Sequence, residues 1–330
     1  MPQRLLCYLL ALLAACEQPA PVAQPAAPPV VQPAAQAIAP AKSEASAAPP
    51  VEPLNRQPVP GRLIALGDVH GDLSAMRQVL IIAGVLDAQD RWVGGNATVV
   101  QTGDLLDRGD DEQAVIDLLE RLRAEARAAG GALVVLNGNH EVMNVQGDLR
   151  YVTAGGFIDF EDAPGVDPTR APAHLPPGAR ARFAAFMPGG PYARILADHD
   201  VVALVGRAVF VHGGVLPEHT QYGLTRLNRE SSAWMKGEGQ FPELLQGDSS
   251  PIWTRVYGGQ VRDADCMRLD EALRALDADV LVVGHTPQRS GPTSACAGKV
   301  WRVDVGMARH YGGQPAAIEI MKDGSVAILK

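Results

Sequence analysis

Cysteine is scarce in this chain, and what is missing around it narrows the chemistry. Four cysteines occur in 330 residues. None adjoins the polar blocks described below, which argues against a soft-metal thiolate site. No basic stripe accompanies the net charge of −8, so a nucleic-acid-binding surface is not expected. No internal repeat of short period is found. Aromatic residues are absent from Glu17 to about Pro60. The one apolar run near the start, Leu5 to Leu13, is too short to span a bilayer as a helix.

That run follows Arg4 and has the charged start and apolar middle of a secretory signal. It ends Leu13-Ala14-Ala15-Cys16, which resembles the bacterial lipobox. The resemblance implies cleavage of residues 1–15, acylation of Cys16 and a lipid-anchored protein exported to the cell envelope. An ordinary signal peptide with a chance cysteine is the alternative. Several acyl chains on one residue hold firmly, whereas one chain binds only marginally. Which membrane carries the anchor is left open. Residues 16–60 are rich in Pro, Ala, Val and Gln and cannot bury enough apolar surface to offset chain entropy. They are expected to form a disordered linker, reaching on the order of 100 Å if extended.

Residues 61–330 suffice for one sizeable domain with a full core. The pattern is α/β. Short apolar strands are predicted at Leu63–Leu66, Ala97–Gln101, Ala132–Leu136, Val201–Val205, Ala208–Val211, Val280–Val283 and Val300–Val305. Helices are predicted over 73–85, 112–129 and 269–276. A hairpin turning at Asp323-Gly324 closes the chain. The Gly-, Pro- and Asp-rich stretch from about 148 to 180 reads as a long functional loop beside the site. Cys266 and Cys296 flank a helix–strand unit, and an exported protein meets oxidants. A disulfide is expected there, with two unpaired thiols as the alternative.

The chemistry lies in five blocks: Gly67-Asp68-Val69-His70-Gly71-Asp72, Gly103-Asp104-Leu105-Leu106-Asp107-Arg108-Gly109, Gly138-Asn139-His140-Glu141, His212-Gly213-Gly214 and Gly284-His285-Thr286. Most close a run of apolar residues, which is how a parallel sheet delivers ligands from distant sequence to one point. Singly each block is weak, because a Gly-Asp after a strand is usually a turn and a lone histidine is usually structural. Together they read as a two-metal site that hydrolyses phosphoesters. Mixed carboxylate, amide and imidazole donors suit Mn, Fe or Zn better than Ca.

The five blocks, in this order, resemble the phosphoprotein phosphatase family of calcineurin-like metallophosphoesterases. Asp107-Arg108-Gly109-Asp110, the run from Gly138 to Asn144, and Pro251-Ile252-Trp253-Thr254-Arg255 are similar to its bacterial Shewanella-like branch, although Arg255 is followed by Val256 where the eukaryotic Ser/Thr enzymes usually carry glycine. The resemblance implies a fold of two sheets flanked by helices, with a dinuclear centre at strand C-terminal ends. It implies that Asp68 and His70 bind one metal, that Asp104 bridges, and that Asn139, His212 and His285 bind the second, with Mn the ion expected to serve in vitro. A water activated between the ions, its pKa lowered from 15.7 towards about 7, would attack in line. His140 would protonate the leaving oxygen with Asp107 orienting it, and Arg108 and Arg255 would clamp phosphate oxygens.

The expected substrate is a phosphorylated protein side chain (Tyr, Ser or Thr) or a small phosphoester. Diadenosine tetraphosphate hydrolysis is the alternative, and a non-catalytic binding lipoprotein a third reading. Glu141 is expected as a structural acceptor. His174, His199, His219 and His310 are expected on the surface or in loops, and Tyr311 as a residue able to line the cleft.

Overall fold

A computed structural model describes residues 51–330, so the expected leader, Cys16 with its expected acylation and most of the expected linker lie outside the described residues. The strands are β1 (Arg56–Gln57), β2 (Leu63–Leu66), β3 (Thr98–Gln101), β4 (Ala132–Val135), β5 (Val202–Val205), β6 (Ala208–Val211), β7 (Val280–Val283), β8 (Thr293–Ala295), β9 (Val300–Arg302), β10 (Ala317–Ile320) and β11 (Val326–Leu329). The helices are α1 (Leu73–Ile82), α2 (Glu112–Ala128), α3 (Asn139–Gln146), α4 (Ala154–Ile158), α5 (Pro177–Phe186), α6 (Pro191–Leu196), α7 (Pro217–Tyr222), α8 (Leu224–Met235) and α9 (Asp263–Ala275).

Two mixed sheets result. One has the order β11-β10-β2-β3-β4, the other β1-β5-β6-β7-β9-β8. Within the first, β2, β3 and β4 run parallel; within the second, β6, β7 and β9 do. The reason for two layers is visible in β2. Leu63 and Ala65 join Val100, Val205, Phe210, Val282 and Ile318 in a core between the sheets. Ile64 and Leu66 point the other way, into the larger core that also holds Met76, Val79 and Leu80 of α1. A strand buried on both faces must be apolar at every position, so β2 and β6 read as continuous runs rather than alternations.

Several expectations need adjusting. The helix predicted over 269–276 begins earlier, at Asp263, where Asp265 accepts from the Arg262 N–H at 3.0 Å and caps it. The stretch from 148 to 180 is not one open loop. It contains α4, a 3-10 turn at Pro168–Arg170 and the start of α5. The end of the linker is also engaged, because Arg56–Gln57 pairs in parallel with β5. His199 lies in a loop as expected and His219 in α7, but both are buried. His199 meets Glu120 at 2.7 Å, and His219 takes the Leu216 N–H at 3.1 Å. Cys266 of α9 and Cys296 before β9 form a disulfide with their Cα atoms 5.3 Å apart. Among the described residues no helix is long and apolar enough to cross a membrane.

Candidate active site

Each polar block follows a strand directly. Asp68 and His70 come after β2, Asp104 after β3, Asn139 and His140 after β4, His212 after β6 and His285 after β7. These strand ends belong to both sheets, so the site spans the two where their C-terminal edges meet. Asn139 and His140 do not simply end a strand, however. They are the first residues of α3, a helix too short and too polar in sequence to be read as one.

Two glycines permit the close approach. A Cβ on Gly138 would lie 2.2 Å from Asp104 Oδ1, and one on Gly284 would lie 2.4 Å from Asp68 Oδ1. The turns themselves are strained. His70, Asp104, Asp107, Arg108 and His285 all have φ between 44° and 67°, a left-handed conformation that non-glycine residues seldom adopt. Such strain persists only where the surroundings hold it in place, and it concentrates at functional sites. Glu141 does much of that holding. Its two oxygens accept the N–H groups of Asp104, Leu105, Leu106 and Gly138 at 2.7–3.2 Å.

The hydrogen bonds at the imidazoles decide what the centre can bind. His70 Nδ1 lies 2.9 Å from the Leu106 carbonyl, His212 Nδ1 3.0 Å from the Thr102 carbonyl and His285 Nε2 3.1 Å from the Trp253 carbonyl. A carbonyl oxygen only accepts, so each of those nitrogens carries the proton. In the neutral ring the opposite nitrogen then presents a lone pair inward, the form in which an imidazole coordinates a metal. His212 Nε2 meets Asp104 Oδ2 at 3.1 Å, Asn139 Oδ1 at 2.9 Å and His285 Nδ1 at 3.1 Å. His70 Nε2 lies 3.7 Å from Asp104 Oδ2.

Acceptors facing acceptors in a dry pocket repel one another unless a cation lies between them. Carboxylate and imidazole atoms fall into two groups that share Asp104, His70–Asp104–His140 and Asp104–His212–His285, with the atoms of each within 4.8 Å of one another; the first holds His140 where Asp68 was expected, and Asp68 instead accepts the His285 N–H at 3.1 Å. This donor set fits divalent metal ions, with His70, His212 and His285 each oriented by a backbone carbonyl.

Electrostatics agree with that reading. Burial, reinforced by His140 and Arg108, lowers His70 to about 3. Burial with His212 nearby also lowers His285 strongly. Both rings are thus neutral and able to coordinate. Asp68 is pushed well above its range by burial and by Asp304 and Asp104. A cation at this point would offset that crowding of carboxylates.

His140 differs from the other rings. Its Nδ1 is 2.5 Å from Asp107 Oδ2, while its Nε2 is 3.9 Å from Asp104 Oδ2. Burial tends to lower its pKa, but Asp104 and Asp107 raise it on balance. Arg108 lies between two rings, 5.0 Å from the centre of Tyr151 and 5.1 Å from that of Tyr311. Those rings pack against His140 at 5.2 Å and His70 at 5.5 Å. Arg255 is anchored by Nη1 to the His285 carbonyl at 2.8 Å and Thr286 Oγ1 at 2.9 Å. Trp253 stands edge-on to His285 at 5.8 Å.

The structure thus brings together all ten residues singled out from the sequence, and Tyr311 besides. Three neighbours carry no comparable sequence signal, since none sits in a glycine-flanked block: Tyr151, Asp304 and Arg182. Asp304 is buried and accepts the Gly306 N–H at 2.8 Å.

Comparison with known proteins agrees with this geometry. The calcineurin-like phosphoesterase family model matches residues 61–289. Shewanella-like protein phosphatase 2 of Arabidopsis thaliana is 40% identical over 82% of this chain and 78% of its own length. Shewanella-like protein phosphatase 1 of Plasmodium berghei is 28% identical over 77% of this chain and 70% of its own. A solved cold-active protein-tyrosine phosphatase of a psychrophilic Shewanella species superposes with a TM-score of 0.63 at 23% identity, covering 83% of this chain and 82% of that one. This chain belongs to the calcineurin-like phosphoesterase family and is a metal-dependent phosphatase, a hydrolase of phosphoric ester bonds.

Proposed function

From that membership we propose that the chain dephosphorylates phosphorylated protein side chains, phosphotyrosine ahead of phosphoserine and phosphothreonine. The observation that carries this reading is the mouth of the site. Tyr151, Tyr311 and Trp253 each pack against a different site histidine. Aromatic walls favour a flat aryl phosphate over a short alkyl one, because stacked rings contribute roughly 0.5–1.5 kcal/mol per pair. Two relatives are named as protein phosphatases, which supports a protein substrate and disfavours the dinucleotide alternative.

In this reading Asp68, His70, Asp104, Asn139, His212 and His285 hold two divalent ions, with Mn the first to try. Bound ions supply Lewis acidity, making a water nucleophilic near neutral pH and neutralising phosphoryl oxygens. The chain's own residues do the rest. Arg108 and Arg255 orient the phosphate through guanidinium forks, which suit planar, paired contacts. Asp107 fixes the ring of His140, and Nε2 of that ring delivers a proton to the departing oxygen.

We also propose that the enzyme works in the cell envelope, anchored through lipid on Cys16. The small residues before that cysteine support this, and so does the Cys266–Cys296 disulfide, since such bonds persist in oxidising compartments. Labelling with a radioactive fatty acid, lost in Cys16→Ser, tests the anchor.

Kinetics of the Mn-reconstituted protein on matched phosphotyrosine, phosphoserine and phosphothreonine peptides and on diadenosine tetraphosphate test the substrate. The highest kcat/KM is expected for phosphotyrosine, with Tyr151→Ala narrowing the gap to phosphoserine. Faster turnover of the dinucleotide than of any peptide would overturn the proposal.

A further inference from the structure

Arg182 lies in α5, outside every ligand-bearing strand, and is completely buried. Its guanidinium makes four directed contacts. Nε donates to Asn144 Oδ1 at 2.9 Å, Nη1 to the Gly156 carbonyl at 2.8 Å and Nη2 to Asp107 Oδ1 at 3.2 Å. Nη1 also pairs with Glu112 Oε2 at 2.5 Å. The rings of Phe160 and Phe186 cover it at 5.1 and 5.3 Å. A buried cation is costly unless its partners are placed for it, and here Arg182 and its partner Asn144 converge on one carboxylate oxygen.

That carboxylate is Asp107, itself fully buried. Its Oδ2 faces His140 Nδ1 at 2.5 Å. Its Oδ1 accepts from Asn144 Nδ2 at 3.0 Å and from Arg182. Its own backbone N–H donates to Glu112 Oε1 at 2.9 Å. A carboxylate held by one oxygen alone can rotate about its Cβ–Cγ bond, whereas one gripped at Oδ1 by two donors keeps Oδ2 aimed. Asn144 closes the circuit by donating also to the His140 carbonyl at 2.9 Å.

We propose that Arg182 is a positioning residue for the phosphatase reaction: it fixes the Asp107 carboxylate, and through it the His140 ring, so that proton delivery to the leaving group depends on α5. A merely structural arginine pinning α5 to the body would need only Gly156 and Glu112; Arg182 also grips Asp107 and Asn144, which bond the His140 ring and the His140 carbonyl. The proposal rests on the reading of His140 as proton donor.

Leaving-group dependence separates the two ideas. The full-length, Mn-loaded enzyme is assayed on p-nitrophenyl phosphate, whose leaving group departs without much help, and on phenyl phosphate, whose leaving group needs a proton. Metal content and thermal unfolding are measured on every variant. His140→Asn is expected to lose on the order of 10²-fold more kcat on phenyl phosphate than on p-nitrophenyl phosphate. Arg182→Met is expected to show the same skew at lower magnitude, about tenfold, with KM and bound metal retained, and Arg182→Lys to recover part of it.

Equal loss on both substrates in Arg182→Met, alongside a skew in His140→Asn, would overturn the positioning role and leave the His140 reading standing. No skew in His140→Asn would overturn both. Should Arg182→Met fail to fold, Arg182→Lys carries the same comparison: a skew supports the proposal and uniform loss contradicts it.

Discussion

His212 Nε2 lies 3.1 Å from Asp104 Oδ2 with its ring proton committed to the opposite side, on the Thr102 carbonyl. Two electron-rich atoms therefore face each other in a buried pocket. This arrangement destabilises the metal-free fold, and bound cations relieve it. At a free Mn concentration about 100 times the dissociation constant, one site adds about 2.7 kcal/mol. For a domain of this size that is about 5–10 °C in Tm. Thermal unfolding after dialysis against EDTA, with and without added Mn, measures it. An unchanged Tm would contradict the reading of the histidines as ligands.

In the proposed phosphate clamp Arg255 is the exposed arm, and its Nη1 is already shared between the His285 carbonyl and Thr286. Lysine cannot serve both anchors and still offer a second donor to substrate. Arg255→Lys is expected to raise KM about tenfold, the loss of roughly one charge-assisted hydrogen bond, and to change kcat much less. Steady-state kinetics on p-nitrophenyl phosphate check this, and an unchanged KM would remove Arg255 from the clamp.

The Cys266–Cys296 bond closes a sequence separation of 30 residues between α9 and the 3-10 turn that joins β8 to β9. Cross-linking a loop of that length stabilises by about 3–4 kcal/mol through the unfolded chain. Cys266→Ser should lower stability by about that amount in denaturant titration, while kcat of the folded fraction holds. A loss of metal affinity in this variant would instead tie the disulfide to the site.

The ligand blocks were legible in the sequence because each carries its own local cause. A metal ligand at a strand end needs a tight turn and a glycine beside it, as Gly138 and Gly284 illustrate. The sheet order could be anticipated only in part, since β1 and β8 are too short to announce themselves. Residues whose role depends on burial left no trace. Arg182 stands in Ala179-Arg180-Ala181-Arg182, where nothing local sets it apart from Arg180, yet only Arg180 remains partly open to solvent. His199 and His219 read as surface histidines for the same reason, because polarity alone does not reveal that Glu120 or a backbone amide waits inside. Tyr151 reaches the site only because its loop folds back against Arg108, whose N–H donates to the Tyr151 carbonyl at 3.1 Å.

Counting bound metal decides whether the site is dinuclear. Mn-reconstituted protein, freed of loose ions and analysed by elemental mass spectrometry alongside its phosphatase activity, is expected to hold two ions per chain. Asp104→Asn, which weakens the carboxylate shared by both groups of ligands, is expected to hold at most one and to lose on the order of 10²–10³ in kcat. Full turnover by wild-type protein with one ion per chain or none would contradict the account.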